Sequence, residues 1–401
     1  VLNIYVRRLK SANSNDNEQR SQDDVTVPMV STKAGHSIAL KADGTVWTWG
    51  YGVGGQSGDG TNNSYTFPSP VRIGQQTVMS VFCDTCGNEF TSGKAGDTCP
   101  NADCEEGKLV ANYLTYTCNT CDAVYANGSV GDNCTEGDCL GHLEVAYLRN
   151  IVAVAAGGTN VNNAFNLALD SEGNVWAWGS DTNVVSGGGS SLPVKVAFDQ
   201  VYSEDNTKQE LYNPFIVAIS AATDYALALD SNGTVWAWGN NAEGKLGIDN
   251  TNGGSVNKPF HVVGGQAASD RFINNNDPET DANGYHYLDH VVAIAAGGNV
   301  SLALRSNGQV YAWGSNNYGQ LGQGTAVWGN PASSQNDNQA RFVPMLVQTQ
   351  KDGKEVALEN VVDITAGHNH GVAMTVDHQV YAWGNAGGAL GTLAQVVTLA
   401  T

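Results

Sequence analysis

The stretch that decides the fold is Ala34-Gly-His-Ser-Ile-Ala-Leu-Lys-Ala-Asp-Gly-Thr-Val-Trp-Thr-Trp-Gly50. It reads as two short alternating strands joined at Asp43-Gly44, a pair that supplies the positive φ values a tight hairpin needs. Four further stretches repeat it, at Asn166–Gly179, Tyr225–Gly239, Ser301–Gly314 and Gly371–Gly384, and each ends in Trp-Gly. Three of these turn at Glu172-Gly173, Asn232-Gly233 and Asn307-Gly308, whereas the last has Asp377-His378, so a looser turn is expected there. Upstream of the hairpins lies an apolar strand ending in small residues, as in Ile151–Gly157, Val291–Gly297 and Val361–Gly367. Downstream comes a Gly-flanked loop, best preserved as Tyr318-Gly-Gln-Leu-Gly322, and then a short strand such as Pro344–Val347. One unit therefore holds about four strands, the content of a propeller blade.

The remaining composition agrees with an all-β chain. Gly 48, Trp 9 and Tyr 15 in 401 residues favour tight turns between aromatic-rich strands, and 41% hydrophobic residues are enough for a core. A formal charge of −20 argues against gripping phosphate backbones, so no nucleic-acid partner is expected. No apolar run is long enough to span a membrane as a helix. Val1–Val6 alternates weakly like a strand, and Lys10–Asp24 reads as a polar linker.

These motifs resemble the regulator-of-chromosome-condensation repeat, whose blades run small-Gly-x-His-Ser-x-Ala-Leu, then Val/Tyr-x-Trp-Gly, then Gly-Gln-Leu-Gly. The resemblance covers the chain outside the N-terminal arm and a cysteine-bearing insert. It implies a β-propeller, and the family's ring has seven blades where five are counted here. Either five blades close a small ring, or the ring is open and something else completes it, exposing sheet edges that invite strand addition. The resemblance also implies that the Trp/Tyr-x-Trp residues pack between blades and that His36, His368 and His370 are architectural.

All eight cysteines fall between the first two hairpins, as Cys83-x2-Cys86-x12-Cys99-x4-Cys104 and Cys118-x2-Cys121-x12-Cys134-x4-Cys139. Each cysteine of the second set lies 35 residues after its counterpart, so the module is duplicated. Four thiolates from two knuckles suit a tetrahedral Zn²⁺ site, and the pair reads as two zinc-ribbon-like or rubredoxin-like modules holding two zinc ions per chain. Disulfides and an iron tetrathiolate are the alternatives. The segments are 1–24 (strand and linker), 25–78 (first blade), 79–111 and 112–148 (cysteine modules) and 149–401 (four further blades).

Asp277, Glu279, Asp281 and Asn283 alternate ahead of Gly284; they read first as a polar loop and second as a calcium loop. Trp328 lies off the repeat register and is the candidate anchor for a partner. No nucleophile elbow, zincin helix or phosphate loop is present, so an enzyme is not expected. The reading that follows is a non-catalytic, extracellular or cell-surface prokaryotic scaffold that binds a protein or assembles with itself into a filament or surface layer. A propeller-type regulator or inhibitor resembling an exchange factor, and an iron redox carrier, are the alternatives.

Overall fold

The computed structural model describes residues 26–73, 147–185, 188–198, 214–249, 254–264, 287–324, 340–385 and 389–397, with short stretches between 81 and 145 and between 200 and 212. Among them are five antiparallel sheets of the blade type, each with its strands in sequence order. Blade 1 is Met29–Lys33, His36–Leu40, Val46–Gly50 and Tyr65–Pro70; blade 2 is Ile151–Gly157, Phe165–Asp170, Val175–Gly179 and Ser190–Lys195. Blade 3 is Ile216–Ala221, Tyr225–Asp230, Val235–Gly239 and Val256–His261; blade 4 is Val291–Ala296, Val300–Arg305, Val310–Gly314 and Arg341–Leu346. Blade 5 is Val361–Ala366, Asn369–Thr375, Val380–Asn385 and Ala389–Val396. The all-β propeller expectation is met.

The core lies between blades. The inner strands of successive blades touch, which their Ala- and Gly-rich ends permit. Each junction sets a leading face of alanine and tryptophan or tyrosine against a trailing face of aliphatic side chains. Ala226, Ala228, Trp236 and Trp238 of blade 3 thus pack on Leu167, Leu169 and Val175 of blade 2. Equivalent clusters join blades 1 and 2, 3 and 4, and 4 and 5. A buried side chain of this size contributes about 1.5–3 kcal/mol, so these seams dominate the stability of the array.

The long connections are stitched at their bases, which explains how the blades tolerate them. Leu148 N–H donates to the Val71 carbonyl and a bridge joins Arg72 to Tyr147, so the cysteine insert leaves and returns at one point. Leu288 N–H on the Val262 carbonyl does the same for the connection that holds the calcium-loop candidates. A hairpin, Gln348–Lys351 with Lys354–Ala357, is closed by Leu358 N–H on the Val347 carbonyl.

Two expectations change. The turn at Asp377-His378 is not looser: His378 adopts φ +62° and donates its N–H to the Thr375 carbonyl at 2.9 Å, as Gly308 does to Arg305 at 2.9 Å. Nor do the outer edges of blades 1 to 4 invite strand addition. The outer strands of blades 1 to 4 carry Pro68, Pro193, Pro259 and Pro344 at the same place in register, and proline cannot extend a ladder. The outer strand of blade 5 has no proline, but Thr349 of the extra hairpin pairs with Ala394 and its hydroxyl donates to the Ala394 carbonyl at 2.8 Å.

Candidate protein-interaction surface

The chemistry that joins two blades is repeated four times. The Trp178 indole N–H donates to the Gln56 carbonyl at 3.1 Å, Trp238 to Val184 at 3.1 Å, Trp313 to Lys245 at 2.8 Å and Trp383 to Gln320 at 2.9 Å. All four tryptophans are fully buried, so each acceptor carbonyl is satisfied in a dry seam. At two junctions a second donor reaches the same oxygen, Asn166 Nδ2 on Gln56 at 3.0 Å and Ser301 Oγ on Lys245 at 2.8 Å.

The acceptor loops are shaped by their own side chains and glycines. Asn241 Oδ1 accepts Leu246 N–H, Asn316 Oδ1 accepts Leu321 N–H, and Asp181 Oδ1 accepts the amides of Asn183 and Val184. The closing glycine is needed because the next blade's indole comes close. A Cβ on Gly58 would lie 2.7 Å from Trp178 Nε1, and one on Gly247 would lie 2.8 Å from Trp313 Nε1. Burial pushes the Asp181 carboxyl above its usual range, opposed by those two amides.

A second repeated bond seals the opposite end of each seam. Ile151, Ile216, Val291 and Val361 donate their N–H groups to the hairpin carbonyls of Gly44, Gly173, Gly233 and Gly308 in the preceding blade, at 3.0–3.2 Å.

Among the described residues, the two outermost faces lack this cover. The second strands of blades 2 and 3 are buried throughout, on both faces of the sheet. His36–Leu40 of blade 1 and Asn369–Thr375 of blade 5 instead alternate buried and half-buried, because only one face is covered. On blade 1 the open face is the leading one, with Ser37, Ala39, Trp47 and Trp49 half-buried. Trp49 and Ser37 occupy the register of Trp313 and Ser301, yet neither side chain makes a hydrogen bond among the described residues. On blade 5 the open face is the trailing one, with His370, Val372 and Met374 half-buried and Val380 exposed. No contact comparable to the interior seams links blade 1 to blade 5 among the described residues.

Of the sequence candidates, Cys83 and Cys118 end the first strands, Val81–Cys83 and Tyr116–Cys118, of two small sheets. Val81 pairs with Phe90 and Tyr116 with Tyr125, the same register 35 residues apart. Cys86, Cys99, Cys104, Cys121, Cys134, Cys139, Asp277, Glu279, Asp281, Asn283 and Trp328 lie outside the described residues. His36 is architectural as expected: it is buried, its Nε2 is 3.0 Å from Asn166 Oδ1, and burial lowers its pKa against that hydrogen bond. His368 is exposed and His370 half-buried, both at the turn into the second strand of blade 5.

The regulator of chromosome condensation (RCC1) repeat matches residues 232–304 and 307–374, and a second form of the same repeat matches 30–56, 216–245 and 291–320. The RCC1 repeat thus matches part of the chain, in blade 1 and in blades 3 to 5. Each longer match runs from the hairpin of one blade to the second strand of the next, so the RCC1 sequence unit straddles a seam.

Among curated proteins, the chain is 29% identical over 187 residues to a bifunctional serine/threonine-protein kinase/NEDD4-like E3 ubiquitin-protein ligase of Dictyostelium discoideum, covering 46% of this chain and 8% of that protein. It is 25% identical to protein pim1 of Schizosaccharomyces pombe over 91% of this chain and 60% of that protein. Human protein RCC2 is 25% identical over 58% of this chain and 40% of RCC2. The chain thus spans less than two thirds of each of these relatives. Among solved structures, human WBSCR16 aligns with a TM-score of 0.44 at 19% identity, over 93% of this chain and 83% of that one. Prp20p of Saccharomyces cerevisiae aligns at 0.40 and 17%, over 92% and 76%. RCC1-type propellers are in general non-catalytic, and the ligase and kinase names belong to those much longer relatives. The expectation of an extracellular or cell-surface prokaryotic protein is overturned, since the matched relatives are eukaryotic proteins of the RCC1 and RCC2 type.

Proposed function

We propose that this chain is a non-catalytic, protein-binding RCC1 propeller of the regulator kind, acting through contact with another protein. The observation that carries this reading is the leading face of blade 1, which has the alanine–tryptophan surface of an interior seam and, among the described residues, no blade against it. Half-buried tryptophans around two idle donors are the type of surface on which binding energy concentrates. A filament built by strand donation does not follow, because the outer strands are blunted by proline or covered. The test is affinity capture with the natural chain beside its Trp47→Ser/Trp49→Ser variant, after circular dichroism shows both folded. Partners retained by the first and lost by the second support the reading; identical retention, or none, overturns it.

We also propose that the two cysteine modules each hold one zinc ion, through Cys83, Cys86, Cys99 and Cys104 and through Cys118, Cys121, Cys134 and Cys139. The repeated strand register, with the first cysteine ending the first strand in both sheets, supports a duplicated knuckle.

A further inference from the structure

We propose that a hard cation binds beneath the extra hairpin at the junction of blades 4 and 5, held by the side-chain oxygens of Gln323, Gln348 and Glu355.

Two of the three oxygens are buried acceptors without a donor. The loop 321–324 runs beside the end of the outer strand of blade 4, where the Gly322 carbonyl accepts the Gln348 N–H at 2.8 Å. Gln323 Nε2 donates to the Leu346 carbonyl at 2.6 Å and to the Leu321 carbonyl at 3.3 Å. Those two bonds fix which end of the amide is which, and they leave Oε1 over. Gln323 is 4% exposed and Gln348 7%, and the Oε1 of each accepts no hydrogen bond among the described residues. Folded proteins rarely bury two such oxygens side by side in the fold unanswered.

The third oxygen donor brings the charge. Along the hairpin, Gln348 pairs with Ala357 and Gln350 with Glu355, so Gln348 and Glu355 share one face a diagonal step apart, within reach of long side chains. Glu355 lies over Gly324, the residue after Gln323, and a Cβ there would stand 2.6 Å from Glu355 Oε1. Gly324 is held in place by its N–H on the Thr392 carbonyl at 2.8 Å. Two chain segments thus bring a carboxylate and two carboxamide oxygens to one place.

The same place is filled differently in the other blades. The amides of Arg72 and Val263 donate to the Gly58 and Gly247 carbonyls as Gln348 does to Gly322, which puts Asp59 and Ile248 at the position of Gln323. Blade 3 therefore has an apolar pair, Ile248 and Val263. In blade 1 the Asp59 carboxylate is taken up by the Ser57, Thr61 and Tyr65 hydroxyls and the Thr61 N–H. Blade 4 sets acceptors at both positions. Carboxylate and carboxamide oxygens suit a hard cation such as Ca²⁺ or Na⁺ and not a soft one. Such an ion would tie the hairpin to the loop of blade 4, and with it the pairing of Thr349 to Ala394 on the outer strand of blade 5.

Thermal unfolding tests the site, on the natural chain beside Glu355→Gln and Gln348→Met, in zinc-containing buffer with calcium, sodium or choline chloride at matched ionic strength. At about tenfold excess over Kd, the bound ion is expected to raise the natural midpoint by roughly 1–2 °C over choline. Each folded variant is expected to lose that rise, Gln348→Met because it keeps the length of the side chain and removes only its oxygen. A rise with calcium alone marks a divalent site, and one with sodium a monovalent site. Equal midpoints in all three salts overturn the proposal, and are what a water bridging the two amides would give. A rise that both variants retain also overturns it, since the ion then binds elsewhere, as in the loop 277–283.

Discussion

Trp383 donates its indole N–H to the Gln320 carbonyl between blades 4 and 5, at 2.9 Å, and the same bond joins the other three pairs of blades, while Trp49 has none among the described residues. Seam tryptophans therefore differ in what their loss leaves behind. Trp238→Phe strands the buried Val184 carbonyl, because the neighbouring position is Ala226, and should cost about 2–4 kcal/mol. Trp313→Phe should cost less, since Ser301 Oγ still satisfies Lys245. Trp49→Phe should fall within about 0.5 kcal/mol of the natural chain. Urea unfolding of the three variants checks the order; equal losses refute it.

The hairpin residue should read out the same polarity. Gly308 has φ +81° and the next blade beside it, so Gly308→Ala combines left-handed strain with a tight contact and should destabilise by about 1–3 kcal/mol. His378 holds φ +62° and is exposed, with no blade packed on it among the described residues, so His378→Gly should change stability by less than about 1 kcal/mol. Paired denaturation curves decide this, and a large loss at His378 would show a neighbour packed on that hairpin.

The five hairpins, their four-strand units and the role of the aromatic pairs were legible in the sequence because each is a local pattern: period two, Asx-Gly, Trp-x-Trp-Gly. The expectation of exposed edges failed because it treated an open ring as an open sheet. Opening a propeller bares blade faces, while its outer strands are always edges and are blunted one by one by Pro68, Pro193, Pro259 and Pro344. The seam acceptors were not legible either. They are backbone carbonyls, so Gln56, Val184, Lys245 and Gln320 share a role without sharing a side chain. The signal available was the Gly that closes three of the four loops, Gly58, Gly247 and Gly322, each of which lies against the next indole.

Lys245 stands where blades 1 and 4 have Gln56 and Gln320, and its buried ammonium is 2.7 Å from Asp224 Oδ1. Asn240 Nδ2 holds the other carboxylate oxygen at 2.9 Å, and Thr223 Oγ1 is 3.0 Å from Oδ1. Asp224→Asn leaves the charge without its counter-ion and should cost about 3 kcal/mol, near the low end for buried pairs because Asp224 is partly exposed. Lys245→Gln installs the residue of the sister loops and should cost about 1–2 kcal/mol. Thermal unfolding at neutral pH separates the two; a larger loss for Lys245→Gln would refute the ranking.

The cysteine insert is tied to the propeller at the Val71–Leu148 stitch, so the modules and the blades should respond separately to metal removal. Elemental analysis should give close to two zinc per chain. Chelation should release both and expose eight thiols while leaving the main urea transition in place. Zero metal with no titratable thiol would favour disulfides, and visible absorption from bound iron would favour the redox alternative.

His261 is stacked between two aromatic rings, with centroids 3.7 Å from Trp236 and 4.0 Å from Tyr287, and burial lowers its pKa to about 3. An unfolded histidine titrates near 6.5. Between about pH 3 and 6.5 the unfolded chain therefore takes up a proton that the folded chain refuses, and stability must fall as pH falls through that window. Asp181 and Asp230, whose carboxyls burial raises, act in the opposite direction, since the folded chain protonates them first on acidification. A comparison with His261→Phe, which keeps a ring in the stack, isolates the histidine. Between pH 7 and pH 5 the natural chain should lose about 1–2 kcal/mol more than the variant, read from urea midpoints at each pH. Parallel curves for the two proteins would mean that His261 is protonated in the folded state and that its stack is open to water.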